Sequence, residues 1–570
     1  MSGEFDAIVI GSGISGGWAA KELCEKGFKT LVLERGRDVR HGEDYMDQMA
    51  PWELPHRDLA PQKFHETGDY EMARRKGWVY RSSMLPFLVN DKEYSYSYPE
   101  DRLFMWTRGY QTGGRSLTWG RQTYRWGPKD FEANKRDGHG VDWPIRYSDV
   151  EKWYGYAERF AGICGNRDGL PDLPDSECQP PFEMSAIELA IRDRLTKRFP
   201  GRHLIMGRAA HLTQPTPEQE ALGRGPCQSR NVCHSGCAYG AYFSSQSATL
   251  PAARATKRLT LINDAIVHSL EQDPQSRRVT GVRVIDRTTR VTRTYSAPLV
   301  FVCASTLGSV QILLNSRTAA SPNGVGNHSG LLGAYITDHI GAISAEGSMP
   351  GLSDRYAFGR RPGSVYIPNY RHEKSENIDF VRGYGFDCYG QGRGLLAPET
   401  APGLGASAKA KIYEHGHWTL RANFAGEMLP YADNRATLHP TRIDSHDIPL
   451  IHVDCRHREN EKRMSAQGEK DIVEMLTAVG CSDVRLTSNQ LDKGIVGYRT
   501  HEMGGACMGH DPGASVTDAW GRVHGVPNLF VAGGPVMSSC ATQNPSLTYM
   551  ALTARTVDHA VQRMKQGQKA

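Results

Sequence analysis

The run Gly11-Ser12-Gly13-Ile14-Ser15-Gly16 restricts what this chain can fold into more than any other six residues. Ahead of it, Ala7 to Ile10 is an apolar stretch that predicts a buried parallel strand. Behind it, Ile14 to Lys26 carries Ala19, Ala20 and Leu23 on one side of a predicted helix. Gly27 stops that helix, and Thr30-Leu31-Val32-Leu33 predicts the next strand. The product is a βαβ unit that opens a doubly wound sheet. Gly11 and Gly13 let the backbone turn tightly toward a pyrophosphate, and Gly16 lets helix and strand pack closely. The helix N-terminus offers the phosphates free N–H groups and a partial positive charge. Glu34 ends the second strand 23 residues after Gly11, where a carboxylate accepts hydrogen bonds from ribose hydroxyls. These features predict a dinucleotide without separating FAD from NAD.

The chain has 570 residues, enough for two or more domains. A second parallel strand, Leu299 to Ala304, leads into a helix from Gly308 to Asn315. A third, Asn528 to Ala532, ends at Gly533-Gly534, and a helix from Ser546 to Met564 follows. Residues 38–105 read as surface excursions rich in Pro, Tyr and charge. Between about 320 and 495 the pattern is strand-like with many turns, as in Thr419 to Phe424. The expected architecture is α/β (α+β overall): a Rossmann-like nucleotide domain built from residues 1–320 and 496–570. A mainly β-sheet, substrate-binding domain is inserted at 321–495. Lys and Arg total 68 against 63 acids, a net +5 with no basic block, which gives no support for a nucleic-acid partner. No apolar run approaches the ~20 residues of a membrane span. No basic-then-apolar leader precedes the first strand, so the chain is expected to carry no export signal of its own.

Three segments then carry a resemblance. Gly113-Gly114-Arg115-Ser116-Leu117-Thr118-Trp119, His501 to Pro512 and Asn528 to Asn544 resemble the glucose–methanol–choline (GMC) oxidoreductases, with Asn434 to Leu438 a looser match. The resemblance implies FAD as the dinucleotide. It places flavin contacts at Gly11, Gly13, Ser15, Gly16, Glu34, Gly113, Gly114, Ser116, Thr118, Val267, Ala304, Gly533, Gly534 and Asn544. It implies a catalytic pair, His501 and Asn544, facing the flavin. Oxidising an alcohol needs a base for the hydroxyl proton, which an imidazole provides, and an amide can hydrogen-bond the developing oxyanion. Family members with a covalent flavin carry Ser-Thr-His-Trp. This chain has Ser116-Leu117-Thr118-Trp119, so the FAD is expected to be non-covalent.

Of twelve cysteines, Cys227, Cys233 and Cys237 cluster with the spacing C-x5-C-x3-C. Three thiolates suit an iron–sulfur cluster or zinc, although zinc normally wants a fourth ligand and only His234 is at hand. A disulfide plus one free thiol is the plainer alternative. The same spacing occurs in the large subunits of bacterial membrane-linked sugar dehydrogenases of this family, glucoside 3-dehydrogenases among them, which hold a three-iron, four-sulfur (3Fe-4S) cluster. That resemblance implies oxidation of a sugar hydroxyl, best placed at C3 of a glucoside or disaccharide, with electrons leaving to a cytochrome c. It also implies a small signal-bearing subunit and periplasmic co-export, with a cytoplasmic enzyme as the alternative. A sugar oxidase using oxygen is the competing reading, and an FAD-containing lyase a more distant one. Regiochemistry is not fixed by these residues. Glu427, Asn423 and Gln490 are candidate sugar contacts, each also readable as a structural polar residue.

Overall fold

The structure is a computed structural model that describes residues 4–341, 343–352, 354–355, 361–371, 378–392, 403–413, 417–489 and 495–567. Strand β1 (Ala7–Ile10), helix α1 (Ile14–Glu25) and strand β2 (Thr30–Leu33) form the expected opening unit. Strand β3 (Leu259–Ile262) pairs parallel with β2, β4 (Leu299–Val302) with β1, and β5 (Leu529–Val531) with β4. The parallel sheet therefore has the order β5-β4-β1-β2-β3, drawn from segments as far apart as Ile10 and Leu529. The sequence reading found every strand of it except β3, whose exposed Thr260 interrupts the apolar run.

Alternation along β1 feeds two cores. Ala7 and Val9 pack under α1 and the last helix, α2 (Ser546–Lys565), with Ala19, Ala20, Leu23, Val557 and Ala560. Ile8 and Ile10 face the main core, which continues to the second sheet. Trp18 of α1 is fully buried against Phe160 and Tyr156, a side chain whose burial alone is worth about 2–3 kcal/mol.

The second sheet has six strands, in the spatial order Ser482–Asn489, Ile343–Met349, Trp418–Gly426, Tyr384–Gln391, Val365–Ile367 and Ile205–Met206. Its pairings are antiparallel throughout. The mainly β character expected between the flavin segments is present, with one strand contributed from residue 205. Residues 38–105 form short helical turns and isolated bridges, as the composition suggested. Among the described residues no helix is long and apolar enough to cross a membrane.

Candidate active site

One continuous pocket joins the opening glycine turn to the C-terminal pair. Its lining includes Gly11, Gly13, Ser15, Glu34, Gly114, Ser116, Thr118, Val267, Ala304, Gly533, Gly534, His501 and Asn544. Gly16 and Gly113 lie behind the wall and shape it. A Cβ on Gly16 would sit 1.9 Å from the Gly11 carbonyl oxygen, so no side chain fits between helix and turn. Gly11 has φ +97°, and a Cβ there would come within 2.6 Å of the Cys303 carbonyl oxygen.

The cradle is locked by its own hydrogen bonds. Glu34 accepts from the Ser12 amide (3.0 Å) and hydroxyl, and from the Gly36 amide (2.9 Å). Burial pushes the Glu34 carboxyl up, and these donors oppose that shift. The Gly113 amide donates to Ser12 Oγ at 3.0 Å, and Ser245 bridges Ser12 and Ser116. Helix α1 begins at Gly13 with no side-chain cap and no acid in its first turn, leaving its N-terminal amides for an anion. These residues fit the diphosphate and ribose of FAD. The isoalloxazine would then lie toward Thr118, His501 and Asn544, and when bound it supplies the hydride acceptor.

At that end, Asn544 Nδ2 lies 3.4 Å from His501 Nε2. The His501 segment is held from several sides. The Gly504 amide donates to the Gly534 carbonyl (3.0 Å) and the Tyr549 hydroxyl to the Glu502 carbonyl (3.2 Å). Arg115 makes a two-pronged pair with Glu502 at 2.6 and 3.2 Å, tying the Gly113–Leu117 turn to the residue after His501. Burial, helped by His339 and the cations Arg499, Arg115 and Lys76, pushes the His501 imidazole well below its usual range. The resting ring is therefore neutral and can accept a proton.

Sequence reasoning missed the groups behind this pair. Thr337 and Met503 exchange backbone hydrogen bonds, which sets Asp338 and His339 beside His501. Asp338 Oδ1 accepts from the amides of His339 (2.9 Å) and His501 (2.8 Å), and Oδ2 from that of Arg499 (3.0 Å). Lys76 is buried against Thr107 and lowered by burial to about 7. No periodicity flags these residues. The one available cue was an Asp-His dipeptide between Thr337 and Ile340.

The candidate sugar contacts separate. Glu427 lines a different cavity of about 1140 Å³ and pairs with Arg382 at 3.4 Å. The wall between the two cavities is the loop 542–544, with Thr542 and Gln543 on one side and Asn544 on the other. Asn423 stands on the second sheet in a cross-strand row, Tyr366–Asp387–Asn423–Ser344. Gln490 lies outside the described residues.

Cys227, Cys233 and Cys237 share one loop. Cys227 is raised to about 11 by burial, with the Cys233 and Cys237 thiols contributing. All three are free thiols, so the disulfide alternative is not formed. The loop touches the flavin end of the pocket, where His234 Nδ1 lies 3.2 Å from the Thr118 carbonyl oxygen. Among the described residues, only Asp338, His339 and His501 bring three potential metal-ligating atoms within 4.8 Å of one another; the three thiols do not converge that closely.

Comparison with known proteins bears on this geometry. A 2-methyl-1,2-propanediol dehydrogenase of Mycolicibacterium austroafricanum is 27% identical over 98% of this chain and 96% of its own. The fructose dehydrogenase large subunit of Gluconobacter japonicus is 25% identical over 99% and 98%. Paromamine 6'-oxidase of Streptomyces fradiae is 26% identical over 97% and 90%. The crystal structure of pyridoxine 4-oxidase from Mesorbium loti superposes with a TM-score of 0.58 at 16% identity, covering 97% of this chain and 98% of that one, which speaks for the fold. The sequence matches the N-terminal part of the GMC oxidoreductases over residues 5–340 and their C-terminal part over residues 430–553. With the glycine cradle at one end of the pocket and the His–Asn pair at the other, the chain belongs to the GMC oxidoreductases, FAD enzymes acting on alcohols and sugars.

Proposed function

We propose that this enzyme is a sugar dehydrogenase that oxidises a secondary hydroxyl, best placed at C3 of a glucoside or disaccharide. The observation that carries the reading is the neutral His501 beside Asn544 at the end of the flavin pocket. His501 Nε2 takes the hydroxyl proton, and the Asn544 amide steadies the oxygen as charge develops on it. The buried polar row on the second sheet supports a polyol rather than an apolar alcohol. It lies one layer from the pocket, reached through Gln122, which lines the pocket and bonds to Tyr124 under Tyr366. Asp387 Oδ1 and Arg499 Nε are buried there without a hydrogen-bond partner among the described residues. Such groups are costly unless a ligand's hydroxyls satisfy them.

Electrons would leave through a 3Fe-4S cluster on Cys227, Cys233 and Cys237 to a cytochrome c. The contact between His234 and Thr118 supports that direction, because it sets the cysteine loop against the flavin end of the pocket. A small partner subunit carrying the export signal, and a periplasmic location, complete the reading. The fructose dehydrogenase large subunit, by its name, is one subunit of a larger assembly. Anaerobic purification with iron analysis and EPR tests the proposal. A three-iron signal with dye reduction by a glucoside supports it. Iron-free protein that makes peroxide supports an oxidase instead, the reading favoured by the likeness to paromamine 6'-oxidase and by the three thiols not converging within 4.8 Å among the described residues, with Cys233 Sγ 3.6 Å from His211 Nε2.

A further inference from the structure

Behind the catalytic pair stands a second imidazole for which the reaction as described has no use. His339 is 2% exposed, and its Nδ1 faces His501 Nδ1 at 3.0 Å, the two rings nearly perpendicular at 85°. Two ring nitrogens at that distance share one proton, so the tautomers of the two residues are locked together. Two neighbours decide which way the lock is set. On one side, the Asn544 amide nitrogen points its hydrogens at His501 Nε2, which suits an Nε2 without a proton. On the other, His339 Nε2 has no partner in hydrogen-bond geometry among the described residues, yet the carbonyls of Ala541 and Gln543 lie near enough to favour a proton on that ring. Both place the shared proton on His501 Nδ1, donated to His339 Nδ1. Asp338 holds the arrangement by gripping the backbone amides of His339, His501 and Arg499. Its carboxylate also lies within 4.8 Å of one nitrogen of each ring.

We propose that His339, braced by Asp338, is a positioning residue that fixes His501 as a base at Nε2 and takes up the proton displaced from its Nδ1. The inference rests on the alcohol-oxidation reading above. In the step, the substrate O–H bond breaks and an N–H bond forms at His501 Nε2. In the same movement the His501 Nδ1–H bond breaks and an N–H bond forms at His339 Nδ1. The site gains one positive charge, on His339, balanced by the Asp338 carboxylate. The other charges facing the pair are Lys76, Arg115, Arg499 and Glu502. The cations among these disfavour a lasting imidazolium, so the charged state is transient: once the product leaves, His339 Nδ1 returns its proton to His501 Nδ1 and the proton on His501 Nε2 passes to water.

The test uses the FAD-loaded enzyme, reduced anaerobically by a sugar in mixtures of light and heavy water. Two protons moving together give a curved dependence of flavin-reduction rate on deuterium fraction. His339→Gln should keep its flavin, slow reduction roughly tenfold or more, as expected when the group that orients a catalytic histidine is removed, and make that dependence linear. The 15N shifts of histidine-labelled protein supply a readout independent of turnover, with His501 expected protonated at Nδ1 in the native enzyme and redistributed in the variant. A linear dependence in the native enzyme, which needs no variant, overturns the relay, as does a His339→Gln enzyme of unchanged rate and unchanged 15N shifts. Flavin that bleaches while the relay fails leaves alcohol oxidation standing; flavin that no alcohol bleaches overturns that reading and the relay with it.

Discussion

The nucleotide cradle and the sheet layer beside the pocket are built on opposite principles. In the nucleotide cradle the polar groups answer one another: Ser12, Glu34, Gly36, Gly113, Ser116 and Ser245 form a closed hydrogen-bonded set before any ligand arrives. At the second sheet, Asp387 pairs with Arg499 from the neighbouring loop at 3.2 Å, yet each keeps a buried atom without a partner among the described residues. The Tyr366 hydroxyl is in the same position, with Thr542 close but outside hydrogen-bond geometry. A closed network is rigid and suits a ligand that never leaves. An open one carries unmet demand, which suits a substrate that must bind and go.

The largest effect is expected where the cradle is tightest. Gly11→Ala forces a Cβ into the Cys303 carbonyl at positive φ, so the protein should purify with flavin absorbance near zero. Substantial flavin in this variant would show that the turn is less rigid than its contacts imply. His501→Ala, at the junction of the two halves, should keep FAD and lose roughly 10²–10⁴-fold in flavin reduction, followed by stopped-flow absorbance. Near-native rates would remove His501 from its role.

Acid should act on the junction next. His339 is lowered to about 3 by burial, with Arg499 adding to the effect, against an ordinary value of 6.5. Between those values the unfolded chain binds a proton that the folded one refuses. Stability is therefore full above pH 6.5 and falls as pH drops toward 3, by on the order of 1 kcal/mol per pH unit from this residue alone. Thermal melts across pH 7 to 4 measure it, and His339→Gln should flatten the slope. The smallest effect belongs to the open half. Tyr366→Phe removes a hydroxyl with no hydrogen-bond partner among the described residues, so Tm should hold or rise slightly while the sugar KM rises roughly 3–10-fold, one hydrogen bond's worth. A fall in Tm without a change in KM would make the polar row structural.

What was legible in the sequence follows the same division. The cradle could be read because its parts are local: Gly11 to Glu34 is one strand, one helix and one strand, each with its own period and stop signal. His501 and Asn544 were legible only through family likeness, since a histidine and an asparagine 43 residues apart have no spacing rule to join them. Asp338 and His339 were not legible at all. They reach His501 through the backbone bridge between Thr337 and Met503, two residues 166 positions apart in the chain.

The sequence by itself determined the βαβ opening, the absence of any side chain at positions 11 and 16, and the identity of the groups able to carry chemistry. Short-range sterics and periodicity are sufficient for those. Tertiary structure alone decided that Glu427 belongs to a different cavity, that the cysteine loop leans on Thr118, and that two imidazoles share one proton behind the catalytic pair. Each depends on strand register and loop packing between distant segments, where a shift of one residue turns a side chain to the opposite face.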